Sequence, residues 1–441
     1  MQKAVCTHGM GLVGLLGLCA LGPVACGDGG GGGGEDYYEE ASRFEQRGIH
    51  VLRLVGSHYE MGLQHGELMA PELAEGVEFV ETDSLFSLLM PMAESQGLVA
   101  TARKQSYADV VDECRGMAEA ARRAGSEGWT EDMCLTLAYG DVVIAFVSEL
   151  LDGGCTQFAA AGPATADGAL VHGRSMDWDE LSYLIEHPTV IVRRPDGQIP
   201  FVTVGFPGNV APYNGINAAG LAVASNNNVS DPETAPNQRR RGHTQMLHQI
   251  LATCSSLDEA EDYLRAQQHA RATTFLISDG AAATAAVFEM TADQLAVRRM
   301  DADGLVYATN HFIEPEMEDL HAPTSPQGSS QVRLERLREL LEPDGADSLY
   351  GALDTAAGVA VLRDRINPLT GQEQPADVFD DNGSIATNGV IWSMVFEPGA
   401  HRFYLAAGEP PVPGHAYVGF DVDALLEPGT PAAPPQPALY E

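Results

Sequence analysis

Apolar residues recur every three or four positions between Tyr59 and Asp152, a period that predicts a mainly helical stretch. Residues 102–125 and 130–151 carry it most clearly, with Thr130 placed to cap the second helix. At Cys155 the period changes. Short apolar or alternating runs at 156–161, 169–174, 189–193, 201–206 and 221–225, separated by Gly, Pro and Asn, predict strands. A helical insert follows over 243–267, with Ser256-Leu257-Asp258-Glu259 as a capping box. Further strands are predicted at 273–278, 284–290, 294–299, 305–309, 390–396 and 402–406, and a helix at 330–341. Helices, then strands in hairpin order, then paired helices describe an antiparallel α+β layer structure, not a doubly wound parallel sheet. No solenoid-type repeat is present. Residues 427–441 are rich in Pro and Ala and read as a disordered tail.

The first 25 residues change this picture at one end. They hold one charge, Lys3, then an apolar run from Met10 to Leu21, and end in Pro23-Val24-Ala25-Cys26. The run is too short to span a bilayer and reads as a signal peptide, residues 1–25. Small residues before Cys26 resemble a bacterial lipobox, which makes Cys26 the expected lipidated first residue; ordinary secretion with cleavage near Ala25 is the alternative. Residues 26–49, with Gly29 to Gly34, then form a flexible tether. Gly9-Met10-Gly11-Leu12-Val13-Gly14 fits a dinucleotide fingerprint in letters only, since no strand precedes it.

The chain has 25 Lys and Arg against 62 Asp and Glu, and losing Lys3 moves the net charge from −37 to 24 − 62 = −38. So acidic a surface disfavours nucleic acid as a partner and restricts membrane contact to the anchor. Processing would leave five cysteines: Cys26, Cys114, Cys134, Cys155 and Cys254. None has C-x-x-C spacing. Cys114 and Cys134 fall in helical patterns and read as buried thiols in preference to a disulfide. Asp380-Asp381-Asn382-Gly383 reads as a turn, without calcium-loop ligand spacing.

Candidate chemistry centres on Gly153-Gly154-Cys155-Thr156 and, nineteen residues on, Arg174 in Gly173-Arg174-Ser175-Met176-Asp177-Trp178. A cysteine that begins a chain carries its own base, because an α-amine titrates near ~8 and can take the thiol proton. The amine must first be freed, so the bond between Gly154 and Cys155 has to break; attack by the thiol on the Gly154 carbonyl is the direct route. Arg174 would favour the thiolate, and Asp177 would hold the amine. Oxyanion donors could come from Asn226-Asn227-Asn228 or from Asn310. Arg333, with Arg336 and Arg338 beside it, reads on its own as a solvated helical charge row. Phe158, Trp178 and Phe312 could line an apolar pocket. A papain-like site would want a separate His, and no pattern supports His65, His172 or His311.

In this order Cys155-Thr156-x-Phe158, Gly173-Arg174-x-x-Asp177-Trp178, Asn217-Ala218-Ala219-Gly220-Leu221, Thr309-Asn310-His311-Phe312 and Ser329-Ser330-x-x-Arg333 resemble the acyl-coenzyme A:6-aminopenicillanic-acid acyltransferase-like family. That family of autoproteolytic N-terminal-nucleophile hydrolases is related to choloylglycine hydrolases, penicillin V acylases and acid ceramidase. Gly56 to Gly66 looks like its N-terminal signature. The resemblance implies a four-layer αββα sandwich, with a helical α part over 50–154 and a catalytic β part over 155–426. It also implies that Cys155 is the nucleophile, with Arg174 and Asp177 beside it, Asn310 in the oxyanion hole and Arg333 as a later active-site arginine. Asn227, or its neighbour Asn226, takes the other asparagine position. Ser175 stands where the family has Asn, which is expected to alter hydrogen bonding near the site.

The function expected is a lipid-anchored, self-processing cysteine amidohydrolase or acyltransferase that cleaves a linear amide through a Cys155 thioester. It would need no cofactor and no metal, its two fragments would stay associated, and its partner would be a small acyl-amide substrate. The competing expectation is an anchored binding lipoprotein with a dead site.

Overall fold

The computed structural model describes residues 40–144, 154–178, 181–228, 240–321, 328–375 and 383–429. The signal peptide, Cys26, the turn at Asp380 to Asn382 and the tail from 430 lie outside them. Strands β1 (Ser42–Gln46) and β2 (Ile49–Gly56) form a hairpin whose two-residue turn, Arg47-Gly48, has positive φ at both positions. That backbone matches the twist of the flanking strands. Residues 42–49, counted above with the tether, therefore belong to the folded body.

Seven helices follow: α1 (His58–Leu68), α2 (Ala70–Thr82), α3 (Phe86–Ser95), α4 (Leu98–Gln105), α5 (Ala108–Arg123), α6 (Glu131–Ala138) and α7 (Gly140–Ile144). Ser57 and Glu60 close a capping box on α1, and Thr130 caps α6 as its sequence predicts. The predicted helix 102–125 is broken at Ser106-Tyr107, where the chain turns from α4 into α5. Helices α1 and α5 cross on glycines. A Cβ at Gly62 would lie 2.1 Å from the Glu113 carbonyl oxygen, and one at Gly116 2.1 Å from that of Tyr59. Cys114 on α5 and Cys134 on α6 are joined in a disulfide, with Cα atoms 5.5 Å apart. The expectation of free thiols is thereby corrected: helical spacing reports each helix alone, and their packing brings the two sulfurs together.

Beyond Cys155 run β3 (Thr156–Ala160), β4 (Val171–Asp177), α8 (Ser182–Glu186), β5 (Thr189–Pro195), β6 (Phe201–Gly205), β7 (Asn214–Asn217) and β8 (Leu221–Asn227). Next come α9 (His243–Thr253), α10 (Leu257–Ala266), β9 (Thr273–Asp279), β10 (Thr284–Met290), β11 (Leu295–Arg299) and β12 (Leu305–Ala308). The chain closes with α11 (Ser329–Leu341), α12 (Thr355–Leu362), β13 (Ile366–Asn367), β14 (Gln372–Glu373), β15 (Val390–Glu397), β16 (Arg402–Ala407), β17 (Val418–Asp421) and α13 (Val422–Leu426). At α10 the Ser256 hydroxyl caps as expected, but the Glu259 carboxylate accepts from Ser255 N–H at 2.7 Å.

Among the described residues the strands form two large sheets, one in the order β1-β2-β5-β6-β7-β8-β9-β10-β11 and one in the order β12-β3-β4-β15-β16-β17, besides the short β13–β14 hairpin. Every pairing in them is antiparallel except β2 with β5. The sheets face each other through Val190, Val202, Ile216 and Ala222 on one side and Met176, Trp392, Met394 and Phe403 on the other. Outside the larger sheet, Leu52, Leu54 and Ile191 pack on α1, α5 and α6, while Leu221, Val223 and Phe275 pack on α9 and α10. Outside the smaller one, Phe158, Val171 and Val395 pack on α11 and α12. The fold is a four-layer αββα sandwich of the α+β class. Among the described residues no helix is long and apolar enough to cross a membrane.

Candidate active site

Cys155 stands immediately before β3 and is 5% exposed, in the apolar layer between the sheets with Met176, Trp178 and Val143. Side chains that are distant in sequence converge on its main chain. Its carbonyl accepts from Arg333 Nη1 at 2.6 Å and from Asn226 Nδ2 at 3.4 Å. Arg333 comes from the first turn and a half of α11 and is 1% exposed. Its Nη1 also donates to Thr156 Oγ1 (2.9 Å), its Nη2 to Asn310 Oδ1 (3.0 Å) and its Nε to Ser329 Oγ (3.0 Å). The solvated-row reading of this arginine is thus overturned. Arg336 is buried too, in ion pairs with Glu339, Asp347 and Asp364.

Strand β4 supplies Arg174 and Asp177 with different roles. Arg174, fully buried, donates from Nη2 to Ser225 O (2.9 Å) and from Nη1 to Asn226 Oδ1 (3.4 Å), so it binds β8 in the opposite sheet. Asp177 ends the strand, where a bulge in β15 lies opposite it. Its Oδ2 accepts from Thr387 Oγ1 at 3.1 Å, and a Cβ placed on Gly154 would lie 2.9 Å from the same oxygen. A side chain at position 154 would require Asp177 to shift. Burial pushes the Asp177 carboxyl up to about 7, against the opposing pull of Arg333, Thr387 and Arg174.

The asparagines separate by strand face. On β8, Ala222 lies in the layer between the sheets and Leu221 and Val223 lie on the helix-covered face, so period two sends Asn226 inward. Its Nδ2 donates to Thr309 O at 2.8 Å as well as to Cys155 O. The amide that reaches Cys155 is therefore that of Asn226, the second choice in the sequence. Asn227 takes part through its main-chain carbonyl, which accepts from Asn310 Nδ2 at 2.8 Å. Asn310 is held in turn by Ser330 Oγ, which accepts its N–H at 2.8 Å.

Several expectations fall elsewhere. Ser175 faces Ser393, with the two Oγ atoms 3.4 Å apart, and stands opposite Thr156 in the β3–β4 pair, whose hydroxyl accepts from Arg333. Phe158 lies under α11 and α12, and Phe312 packs with Ala272, Ala296 and Met317; of the three aromatics only Trp178 joins Cys155. His65, His172 and His311 are partnered by Gly208, Ser278 and Ser330, and burial lowers each to about 3. Thr387 and Tyr213 join the site without any motif to mark them, and Thr156, beside Cys155 in its motif, adds a hydroxyl that accepts from Arg333. Tyr213 packs against the Cys155 layer, its ring edge-on to Trp178 at 6.2 Å, and burial raises its phenol, which stays protonated. A lone aromatic before an Asn-Gly-Ile-Asn run gives no signal of that position. Elsewhere Glu75, Glu186 and His187 bring ligand atoms within 4.8 Å of one another, with His187 Nε2 and Glu75 Oε2 in hydrogen-bond contact at 2.8 Å.

A family model described as acyl-coenzyme A:6-aminopenicillanic acid acyl-transferase matches residues 164–411. The match starts 164 − 155 = 9 residues after Cys155 and includes Arg174, Asp177, Asn226, Asn227, Asn310 and Arg333. An uncharacterized protein of Archaeoglobus fulgidus is 27% identical over 312 residues, which are 61% of this chain and 51% of that protein. The chain thus spans about half the length of the curated relative it matches. Among solved structures, it is similar to a Caenorhabditis elegans N-acylethanolamine-hydrolyzing acid amidase ortholog (17% identity, TM-score 0.40, 56% of this chain and 93% of that one). A conjugated bile acid hydrolase variant from Clostridium perfringens (16%, 0.38, 62% and 94%) and penicillin V acylase from Agrobacterium tumefaciens (14%, 0.35, 57% and 83%) are also similar.

Proposed function

The chain belongs to the acyl-coenzyme A:6-aminopenicillanic acid acyl-transferase family, and from that premise we propose that it is a self-processing amidohydrolase or acyltransferase with Cys155 as its N-terminal nucleophile. The observation that carries this reading is the convergence on one peptide: Asp177 against Gly154, with Arg333 and Asn226 on the Cys155 carbonyl.

In maturation the Cys155 thiol adds to the Gly154 carbonyl carbon and the C–N bond breaks, leaving a thioester on sulfur and a proton on the released nitrogen. Water then cleaves the thioester into the Gly154 carboxylate and the free thiol. With Asp177 close by, the new amine gains a carboxylate that holds its orientation. In turnover that amine takes the thiol proton, sulfur adds to the substrate carbonyl, and the proton passes to the leaving amine. Water as acceptor gives hydrolysis; an amine gives acyl transfer. The guanidinium of Arg333 fixes the Cys155 main chain, so the sulfur is presented without a separate histidine.

The two products would be 154 − 26 + 1 = 129 and 441 − 155 + 1 = 287 residues long and would stay together. Strand β2 pairs with β5, and Glu113 of the α part is ion-paired at 2.9 Å with Arg193 of the β part, both fully buried. Export with a lipid anchor at Cys26 agrees with the Cys114–Cys134 disulfide, a bond typical of oxidising compartments. The purified chain is expected as two bands on a denaturing gel, the larger beginning at Cys155, with amine release from a panel of acyl p-nitroanilides and fatty-acyl amides. Cys155→Ala should give one band and no amine release. Two bands in that variant would assign the cut to another protease, and an intact wild-type chain would favour the binding lipoprotein.

A further inference from the structure

Helix α9 opens without a cap of its own. Its N-cap is Gly242, which has no side chain to offer the first-turn amides. The acceptor comes from the other side of the proposed cut. Asp141, on α7 and fully buried, accepts from His243 N–H at 2.7 Å and from Thr244 Oγ1 at 3.3 Å, and lies 3.0 Å from His243 Nδ1. Gly242 is required by this arrangement, because a Cβ there would sit 2.4 Å from Asp141 Oδ1. Burial pushes the Asp141 carboxyl up, but His243 and Arg271 outweigh it and hold the group ionised.

The same stretch of chain is tied down at further points. Gln245 Nε2 donates to Ala138 O (3.1 Å), and the Tyr139 hydroxyl donates to Arg240 O (2.6 Å). Arg271 donates from Nη1 to the Asp141 carbonyl and from Nη2 to the Asn228 carbonyl, both at 2.9 Å. One guanidinium therefore couples α7 to the asparagine run whose Asn226 binds Cys155. Asp141 precedes Gly154 by 154 − 141 = 13 residues, and Cys155 is anchored on the downstream side.

We propose that Asp141 is a positioning residue for self-processing: its carboxylate ties α7, thirteen residues before Gly154, to α9 and the asparagine run, and so anchors the upstream side of the chain to the same elements that hold Cys155. The inference rests on Cys155 cutting its own chain. Its physical content is entropic, since a flank free to wander lowers the fraction of time the carbonyl spends within reach of the sulfur.

The test separates the clamp from a simple helix cap. Asp141→Ala removes both; adding Gly242→Ser restores a local cap, since the vacated space admits the side chain and the backbone at 242 (φ −68°, ψ 148°) is extended, as N-caps are. Processing is followed as fragment appearance after cell-free translation, and melting temperature is read in a Cys155→Ala background where every chain stays whole. Asp141→Ala is expected to slow processing at least ~10-fold, and the double variant to stay slow although its melting temperature returns to within about 2 °C of its parent. Processing of the double variant at the parent rate would make Asp141 a cap only and overturn the proposal, as would an unaffected Asp141→Ala. Should the double variant be insoluble, Asp141→Asn decides: slowing by several-fold at unchanged melting temperature supports the clamp, and the parent rate overturns it. A wild-type chain left uncut at 154–155 would instead remove the Cys155 reading, and this inference with it.

Discussion

Asp177 shows how a single side chain can couple the site to pH. Its carboxyl is raised by burial to about 7 from the ordinary 3.8 of an aspartate, so between about pH 4 and 7 the folded, uncut chain holds a proton that the unfolded chain has lost. Stability from this group is present at low pH and declines as pH rises through that window, by on the order of a few kcal/mol in all. In the uncut Cys155→Ala protein, Asp177→Asn is therefore expected to flatten the fall in denaturant midpoint between pH 4 and 7. An unchanged slope would place the titration on another group. The same residue bears on Gly154: its Oδ2 lies 2.9 Å from where a Cβ would stand, a constraint that the doublet Gly153-Gly154 hints at but does not locate.

At the scale of elements, most strands follow directly from alternation, because a strand buried on one face announces itself every second residue. The β1–β2 hairpin, β7, β17, α8 and α12 were not foreseen. Several are short, and β2 begins inside what composition marks as a tether. Strand period also resolves the asparagine run once one neighbour's face is known, as Ala222 does for Asn226. The link between α5 and α6 is invisible to periodicity. Reducing it by Cys114→Ser or Cys134→Ser opens a loop of 20 residues and is expected to cost about 3 kcal/mol, measured as a lower urea midpoint. No change in midpoint would mean that the helices hold each other without it.

For the whole molecule the question is what keeps an α part and a β part as one body once the bond between them is cut. Burial alone would push Glu113 up, but the Arg193 guanidinium, with His58 Nδ1 3.9 Å away, holds it far below the usual carboxylate range. Arg193 also donates to Thr203 Oγ1 (3.1 Å) and Asn209 O (2.8 Å), so the pair is fully satisfied within the β-part framework. Glu113→Ala would strand a buried guanidinium, at a cost of about 3–5 kcal/mol. The processed variant is expected to lose its smaller fragment on gel filtration, where the wild type coelutes. Coelution of the variant fragments would assign their association to β2–β5 pairing and the apolar layer.

Sequence alone determined the longer strands and most of the helical stretches, the α+β class, the candidate nucleophile and the residue types around it. These are local properties, written in period, turn residues and spacing. Tertiary structure decided which side chains meet. It buried Arg333, which lies 333 − 155 = 178 residues from Cys155, set Ser175 against Ser393, chose Asn226 for the contact with Cys155 and joined Cys114 to Cys134. It also moved Asp177 towards neutrality and gave α9 a cap from the far side of the Gly154–Cys155 bond. Face, burial and electrostatic neighbourhood arise only when distant segments pack, because desolvation and hydrogen bonding depend on distance in space and not on distance along the chain.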